Sequence, residues 1–343
     1  VFNIITYKGE TDTNLDVFVA RFDDDNPRKE KSDFLLSSSD VSVYNGTFNL
    51  IDENKETPQI LKFTSLGINA TNFVINGSDV DARINTLGFV DSRGLVMQNM
   101  STNFKYTLSQ MRFDNLNIRT KQSTLKGDLQ FNYKREDFKD FEDKVKVTAN
   151  FTEGDIALDE LNTFYNEFGR NQHATLSTQL TGTLNDLTAN NLKLTTNTRT
   201  NIYGTLNFKN LFNAADDNFE MSGEFTNLSS SYYALKDLLP NVLGESIPSI
   251  FSKLGTFSIT GNTHITSQNI KAKLNINTNL GLVNSDLEIF NVDNIDTASY
   301  KGNVIFDAFD MGTFLEDPKL GEISSNLDVD RSEERRVGKE CRS

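Results

Sequence analysis

The sequence has no Trp, one Cys, two His and five Pro in 343 residues. One Cys and two His are too few for a zinc cluster of His and Cys ligands or for a disulfide framework. His173 and His264 lie far apart in the chain, and neither is accompanied by a Ser or Cys nucleophile motif. We therefore expect a protein without catalytic residues, metal or cofactor, in which both His side chains lie at the surface.

Positive charge is also scarce, because 34 Lys and Arg stand against 48 Asp and Glu, for a net charge of −14. That balance disfavours nucleic acid as a partner, since phosphates are bound by clustered cations. No apolar run approaches the roughly 18 residues of a membrane-spanning helix. No signal peptide is visible and the sequence starts at Val1, so we expect a piece of a longer chain.

Residues 331–343 differ abruptly from the rest. They read RSEERRVGKECRS and contain the only Cys. This string can be back-translated into a common short-read sequencing adapter, and we interpret it as a disordered assembly artefact. The alternative interpretation is a basic, disordered tail that binds acidic partners.

Alternation of apolar and polar residues dominates the remaining sequence. From Leu192 to Phe208 the even positions are apolar or small and the odd positions are mostly polar. Such a period of two predicts strands with one wet face, in an antiparallel or solenoidal sheet. A phrase Gly-x-apolar-x-apolar recurs, for example at Gly127, Gly204 and Gly302. Its Gly marks either a bend or close approach within a curved sheet, or simply the start of a strand.

Helical patterns are short and widely spaced, at 159–169, 232–254 and 310–315. Their starts are about 75 residues apart, which indicates a weak long repeat of helix plus β-meander. We expect an all-β chain with a few short helices, divided into a β-segment over 1–158 and helix-plus-meander repeats over 159–330.

The many alternating strands would create an apolar face larger than the few hundred Å² that soluble monomers usually expose. This face could pack on a second sheet, pack on the short helices, or line a groove that holds an apolar ligand. The candidate lining residues are Leu192, Leu194, Ile202, Leu206, Phe208, Phe257, Ile259, Leu274, Ile276, Val304 and Phe306.

Several segments resemble the AsmA-like superfamily, specifically the translocation and assembly module family called TamB. The resemblance rests on the Gly-x-Leu-x-Phe phrases and on the stretches Asn72–Ile84, Thr120–Gly127 and Leu238–Pro248. These are strand phrases rather than catalytic signatures, and they extend over most of residues 1–330.

This resemblance implies an elongated, curved, taco-like β-groove with an apolar concave face, which lies in the periplasm of Gram-negative bacteria. It implies phospholipid acyl chains as ligands, carried between the inner and outer membranes, or a scaffold for outer-membrane protein assembly. It further implies an N-terminal helix that anchors the full-length protein in the inner membrane, and a C-terminal region that meets an Omp85-type outer-membrane assembly protein.

The main alternative is a secreted or surface β-sandwich or solenoid, similar to an adhesin, that binds glycans or protein partners. Such a protein should display exposed Tyr, Trp or Asn side chains on one face. The third class, an enzyme, would require carboxylates clustered in a cleft. Nothing in the sequence identifies such a pair.

Overall fold

The computed structural model describes residues 1–20, 34–164, 168–210, 218–240, 249–292 and 298–331. The predicted artefact at 331–343 lies outside the described residues except for Arg331, as do residues 241–248 of the second predicted helical stretch. The chain divides into two compact units, unit 1 (Val1–Tyr165) and unit 2 (Asn166–Ser343).

Unit 1 contains eight described strands, in which β1 pairs parallel to β2 and each strand from β2 to β8 pairs antiparallel with the next. Their bounds are β1 (Phe2–Thr6), β2 (Leu35–Asp52), β3 (Gln59–Asn76), β4 (Asp79–Asp91), β5 (Val96–Tyr106), β6 (Gln110–Thr120), β7 (Thr124–Asn132) and β8 (Lys146–Ala157). The described part of unit 1 also contains the helices α1 (Asn14–Ala20), a 3₁₀ helix (Arg135–Asp140), α2 (Phe141–Lys144) and α3 (Leu158–Leu161).

Unit 2 is an antiparallel meander of nine described strands, each paired with the next. Their bounds are β9 (His173–Thr183), β10 (Asp186–Thr196), β11 (Asn201–Lys209), β12 (Glu220–Ser231), β13 (Thr256–Thr266), β14 (Asn269–Thr278), β15 (Gly281–Phe290), β16 (Ser299–Asp310) and β17 (Glu322–Arg331). Among the described residues of unit 2, the helices are α4 (Tyr232–Leu238), a 3₁₀ helix (Ser249–Leu254) and α5 (Met311–Leu315).

The predicted all-β fold of curved antiparallel sheet with a few short helices is confirmed. Two local expectations need adjustment. The alternating run Leu192–Phe208 is two strands, because a turn at 197–200 separates β10 from β11. The predicted helix at 159–169 is shorter among the described residues, where α3 covers only Leu158–Leu161.

Glycine allows neighbouring strands to approach closely within unit 2. A Cβ atom added at Gly204, in the middle of β11, would overlap the carbonyl oxygen of Glu224 on β12. A Cβ atom added at Gly302 would likewise overlap the carbonyl oxygen of Asp286. At these two positions the glycine of the repeated phrase therefore marks close backbone approach inside a strand, whereas Gly255 precedes β13.

Candidate functional site

The strand register of unit 2 places all eleven predicted lining residues on one face of its sheet, which we call the unit 2 apolar face. One row crosses eight strands with an unbroken series of apolar side chains. Its members lie opposite one another in the order Leu176, Leu194, Ile202, Leu228, Ile259, Ile276, Val283 and Phe306.

Further rows hold the other predicted residues. Leu192, Leu274 and Val304 belong to the next row, together with Gly204, Phe225, Gly261, Ser285 and Leu327. Leu206 lies between Ala189 and Gly223, Phe208 between Leu187 and Met221, and Phe257 between Ser230 and Thr278. The predicted residues therefore belong to one continuous surface of side chains.

Burial distinguishes this surface from the core of a two-sheet sandwich. Leu192 and Leu206 are buried, at 9% and 7% exposure, and the other nine predicted residues are half-buried. Side chains between two packed sheets lose nearly all contact with water. Nine of the eleven side chains are only partly buried, which is the burial expected when a side chain is covered by its neighbours in the same sheet and by no second sheet.

β-bulges keep the apolar residues on the same face where the alternation changes phase. In β10 the register shifts between Ala189 and Leu192, and Asn191 has a positive φ of 50°. In β12 a shift between Phe225 and Leu228 brings both residues to the same side. Leu228 is not among the residues predicted from the sequence, because an uninterrupted period of two assigns it to the opposite face.

The opposite face of unit 2 is polar and carries cross-strand ion pairs. Lys271 lies 2.9 Å from Glu288 and Lys273 lies 3.3 Å from Asp286. Lys209 contacts Glu220 at 2.7 Å, and its hydrogen bond lowers the pKa of that carboxyl. These charged side chains make one face of the sheet hydrophilic, whereas the other face is apolar.

An aromatic cluster closes one end of the unit 2 apolar face. Phe309 is only 1% exposed, and its ring lies 5.2 Å from that of Phe306 and 5.6 Å from that of Phe314 on α5. The Phe251 ring lies 6.2 Å from Phe314, whose carbonyl accepts a hydrogen bond from Lys253. Phe306 therefore borders a packed end rather than open surface.

Unit 1 presents a comparable apolar face, which the candidate residue set from the sequence did not include. Ala82, Phe104, Phe113, Leu129 and Ala149 form one row across five strands. The rings of Phe48, Phe63 and Phe89 stack across β2, β3 and β4, with centroids 5.6 and 4.3 Å apart. The alternation of apolar and polar residues in the sequence was the available signal for this face, but bulges in β2 to β6 interrupt the alternation repeatedly.

The end of the unit 1 face is closed by the turn of helix after β7. Phe138 lies 4.5 Å from the ring of Tyr133, and Phe141 lies 5.8 Å from Phe131. Tyr133 is 6% exposed and donates a hydrogen bond to the carbonyl of Thr107. Burial raises the pKa of its hydroxyl above the ordinary Tyr value.

The described residues include both His side chains of the sequence, His173 and His264. His264 lies opposite Ser222 in register, and its Nδ1 is 3.0 Å from Ser222 Oγ on the polar face. In the described part of the chain, no three His, Cys, Asp or Glu side chains are grouped so that they could hold a metal ion.

Within the described ranges, no helix has the length and apolar character needed to cross a membrane. Comparison with known proteins finds no match to a family model, to a curated protein or to a solved structure.

Proposed function

We propose that the protein binds lipid acyl chains on its apolar faces and acts without catalysing a reaction. The observation that carries this proposal is the unbroken apolar row from Leu176 to Phe306, whose side chains are half-buried rather than sealed in a core. Covering such a surface with hydrocarbon is favourable by about 0.8 kcal/mol for each CH₂ group removed from water.

The rows also support movement of a bound chain. Within unit 2 the same kind of side chain recurs from strand to strand, at a spacing of about 4.8 Å. A lipid that shifts by one strand exchanges one apolar contact for a similar one, so no single position traps it. The head group would remain in water at the margin of the face.

The cellular setting of this proposal comes from the resemblance to the TamB and AsmA-like proteins. In that setting the protein is a periplasmic bridge that carries phospholipid between the inner and outer membranes or supports outer-membrane protein assembly. The inner membrane, through an N-terminal helix of the full-length protein, and an Omp85-type outer-membrane protein are the proposed attachment points.

Photo-crosslinking at adjacent positions of β14 tests the proposal. Ile276 lies in the apolar row between Ile259 and Val283, whereas Asn275 is exposed on the polar face. Benzoylphenylalanine at position 276 should capture radiolabelled phosphatidylethanolamine in Gram-negative cells, and the same group at position 275 should not. Equal capture at both positions, or none at 276 in a folded protein, contradicts lipid binding on this face.

A second pair of variants separates lipid binding from folding. Ile276→Asp places a charge in the row, and Asn275→Asp places the same charge on the wet side. We expect Ile276→Asp to reduce the phospholipid that copurifies with the protein at least fivefold, while Asn275→Asp leaves it unchanged. Circular dichroism checks that both variants keep their strands. Capture of unfolded outer-membrane proteins instead of lipid at position 276 would favour the assembly scaffold.

A further inference from the structure

A cleft in unit 1 opens over Gly67 and Gly88. These glycines alternate along their strands with Ile68, Leu87 and Phe89, so they lie on the side of the sheet opposite to the unit 1 apolar face, although Phe89 also borders the cleft. Its volume is about 370 Å³, at the lower end of the roughly 300–1,000 Å³ range of small-molecule sites. We call it the Tyr44 cleft and define it by Tyr44, Gly67, Thr86, Gly88, Val90 and Gln98, which lie on β2, β3, β4 and β5.

The floor of the cleft is a pair of glycines. Gly67 and Gly88 lie directly opposite each other on β3 and β4, so two neighbouring side chains are missing from this face. A Cβ atom added at Gly67 would meet only the carbonyl oxygen of Val43, at 4.0 Å. The space above Gly67 is therefore open rather than filled by a neighbouring strand.

The backbones of β2 and β3 are both distorted close to Gly67. Asn45 on β2 and Ser65 on β3 both have positive φ, at 51° and 53°. The register shifts on either side of Gly46 and again between Thr64 and Gly67. Non-glycine residues held in this conformation cost about 1–3 kcal/mol each and concentrate at functional sites. Bulges are likewise frequent beside binding sites, where they re-aim side chains.

The walls combine an aromatic platform with neutral polar groups. Tyr44 is 86% exposed, although it lies in the interior of a long strand, and Val90 is also exposed. Thr86 and Gln98, two neutral polar residues, also line the cleft. None of the residues that line it is charged, in a chain of which 24% is Asp, Glu, Lys or Arg.

We infer that the Tyr44 cleft binds a neutral sugar ring. The C–H face of a pyranose packs against the Tyr44 ring, while its hydroxyls bond to the amide of Gln98 and the hydroxyl of Thr86. An uncharged lining disfavours phosphorylated and other ionic ligands, whose charge would be left unpaired. This inference is independent of the proposed lipid binding, because the cleft lies on the opposite face of the sheet.

In the experiment, the purified protein is titrated with maltotriose and with chitotriose, and binding is measured by calorimetry and saturation-transfer NMR. We expect millimolar or tighter binding of at least one trisaccharide. Tyr44→Ala should weaken it about tenfold, since one aromatic contact is removed, and Tyr44→Phe should stay within about threefold. Tyr233→Ala, which removes an exposed Tyr of unit 2, is the matched control and should leave binding unchanged.

Gly67→Val provides the sharper test, because it fills the floor of the cleft. The added side chain meets open space and a β-branched residue suits a strand, so the thermal midpoint should not fall. Saccharide binding should nevertheless be lost. Binding that survives in Gly67→Val, or the absence of binding of both trisaccharides to the unaltered protein, overturns the inference. If Gly67→Val fails to fold, the contrast between Tyr44→Ala and Tyr44→Phe decides instead.

Discussion

Two single residues, Gly204 and Asp91, each determine a specific local contact in this protein. Gly204 permits β11 and β12 to approach so closely that no side chain fits between them. Asp91 at the end of β4 is 3% exposed and is held by Arg93, whose guanidinium also lies 4.5 Å from the centre of the Phe164 ring. Both features depend on one side chain or its absence, so point substitutions test them directly.

Gly204→Ala should destabilise unit 2. The new Cβ overlaps the Glu224 carbonyl oxygen, so the strands must separate or the backbone must strain, at a cost of about 1–3 kcal/mol. Thermal denaturation followed by circular dichroism measures the change. Gly321→Ala is the control, because a Cβ there meets nothing within 4 Å, and its effect should stay within about 0.5 kcal/mol. Equal midpoints for both variants would contradict the close approach.

Asp91→Asn should destabilise unit 1 by about 1–2 kcal/mol, since it weakens a hydrogen-bonded ion pair at a buried carboxylate. The hydrogen bond from Arg93 lowers the pKa of Asp91 in the folded state. The stabilisation is therefore present above the ordinary Asp pKa of about 3.9 and is lost as the pH falls through the lowered folded value. Denaturation at pH 7 and below pH 3 measures how much the free energy of unfolding falls on acidification. This fall should be smaller for Asp91→Asn than for the unaltered protein.

The exposed pair Asp81–Lys105, at 3.5 Å, supplies the control for that measurement. Asp81→Asn should change stability by less than about 1 kcal/mol, because exposed ion pairs contribute little. If acidification lowers the stability of the Asp91→Asn variant and of the unaltered protein by the same amount, Asp91 is not the cause of that loss of stability.

The strands owe their single apolar face to bulges as much as to alternation. Asn191 in β10 allows Ala189 and Leu192 to point to the same side although they are three positions apart. The period of two was sufficient to predict strands and one apolar face from the sequence. The positions of the bulges were not predictable, because the positive φ of Asn191 depends on both neighbouring strands.

Asn191→Val should destabilise unit 2 by about 1–2 kcal/mol, because a β-branched residue is poorly accommodated at positive φ. Asn191→Gly is the matched variant and should be neutral or nearly so, since glycine adopts that conformation freely. Urea denaturation compares the two midpoints. If Val is tolerated as well as Gly, the bulge at Asn191 is not required for the register of β10.

Net charge acts on the whole molecule. The chain carries a formal charge of −14, and the ion pairs on the polar face of unit 2 neutralise only part of its acidic surface. A protein of this charge is repelled by an anionic membrane over about 10 Å at 0.1 M salt. If the protein exchanges lipid with membranes, the lipid composition should therefore affect the rate.

Transfer of a fluorescent phospholipid should start faster from phosphatidylcholine vesicles than from phosphatidylglycerol vesicles at low salt. The difference should shrink at 0.5 M NaCl, because screening removes the repulsion without weakening apolar contact. Stopped-flow fluorescence with the same reporter lipid in both vesicles measures the rates. A preference for phosphatidylglycerol at low salt would show that charge does not govern the encounter.

The sequence by itself determined the class of the fold, the shortage of His and Cys and the identity of eleven residues that lie on one apolar face. These follow from composition and from a period of two, which are local properties of the chain. Tertiary structure alone decided the rows that these residues form, the aromatic ends of each face and the open cleft beside Tyr44. Those features depend on register, bulges and the meeting of Gly67 with Gly88, which only pairing between strands can specify.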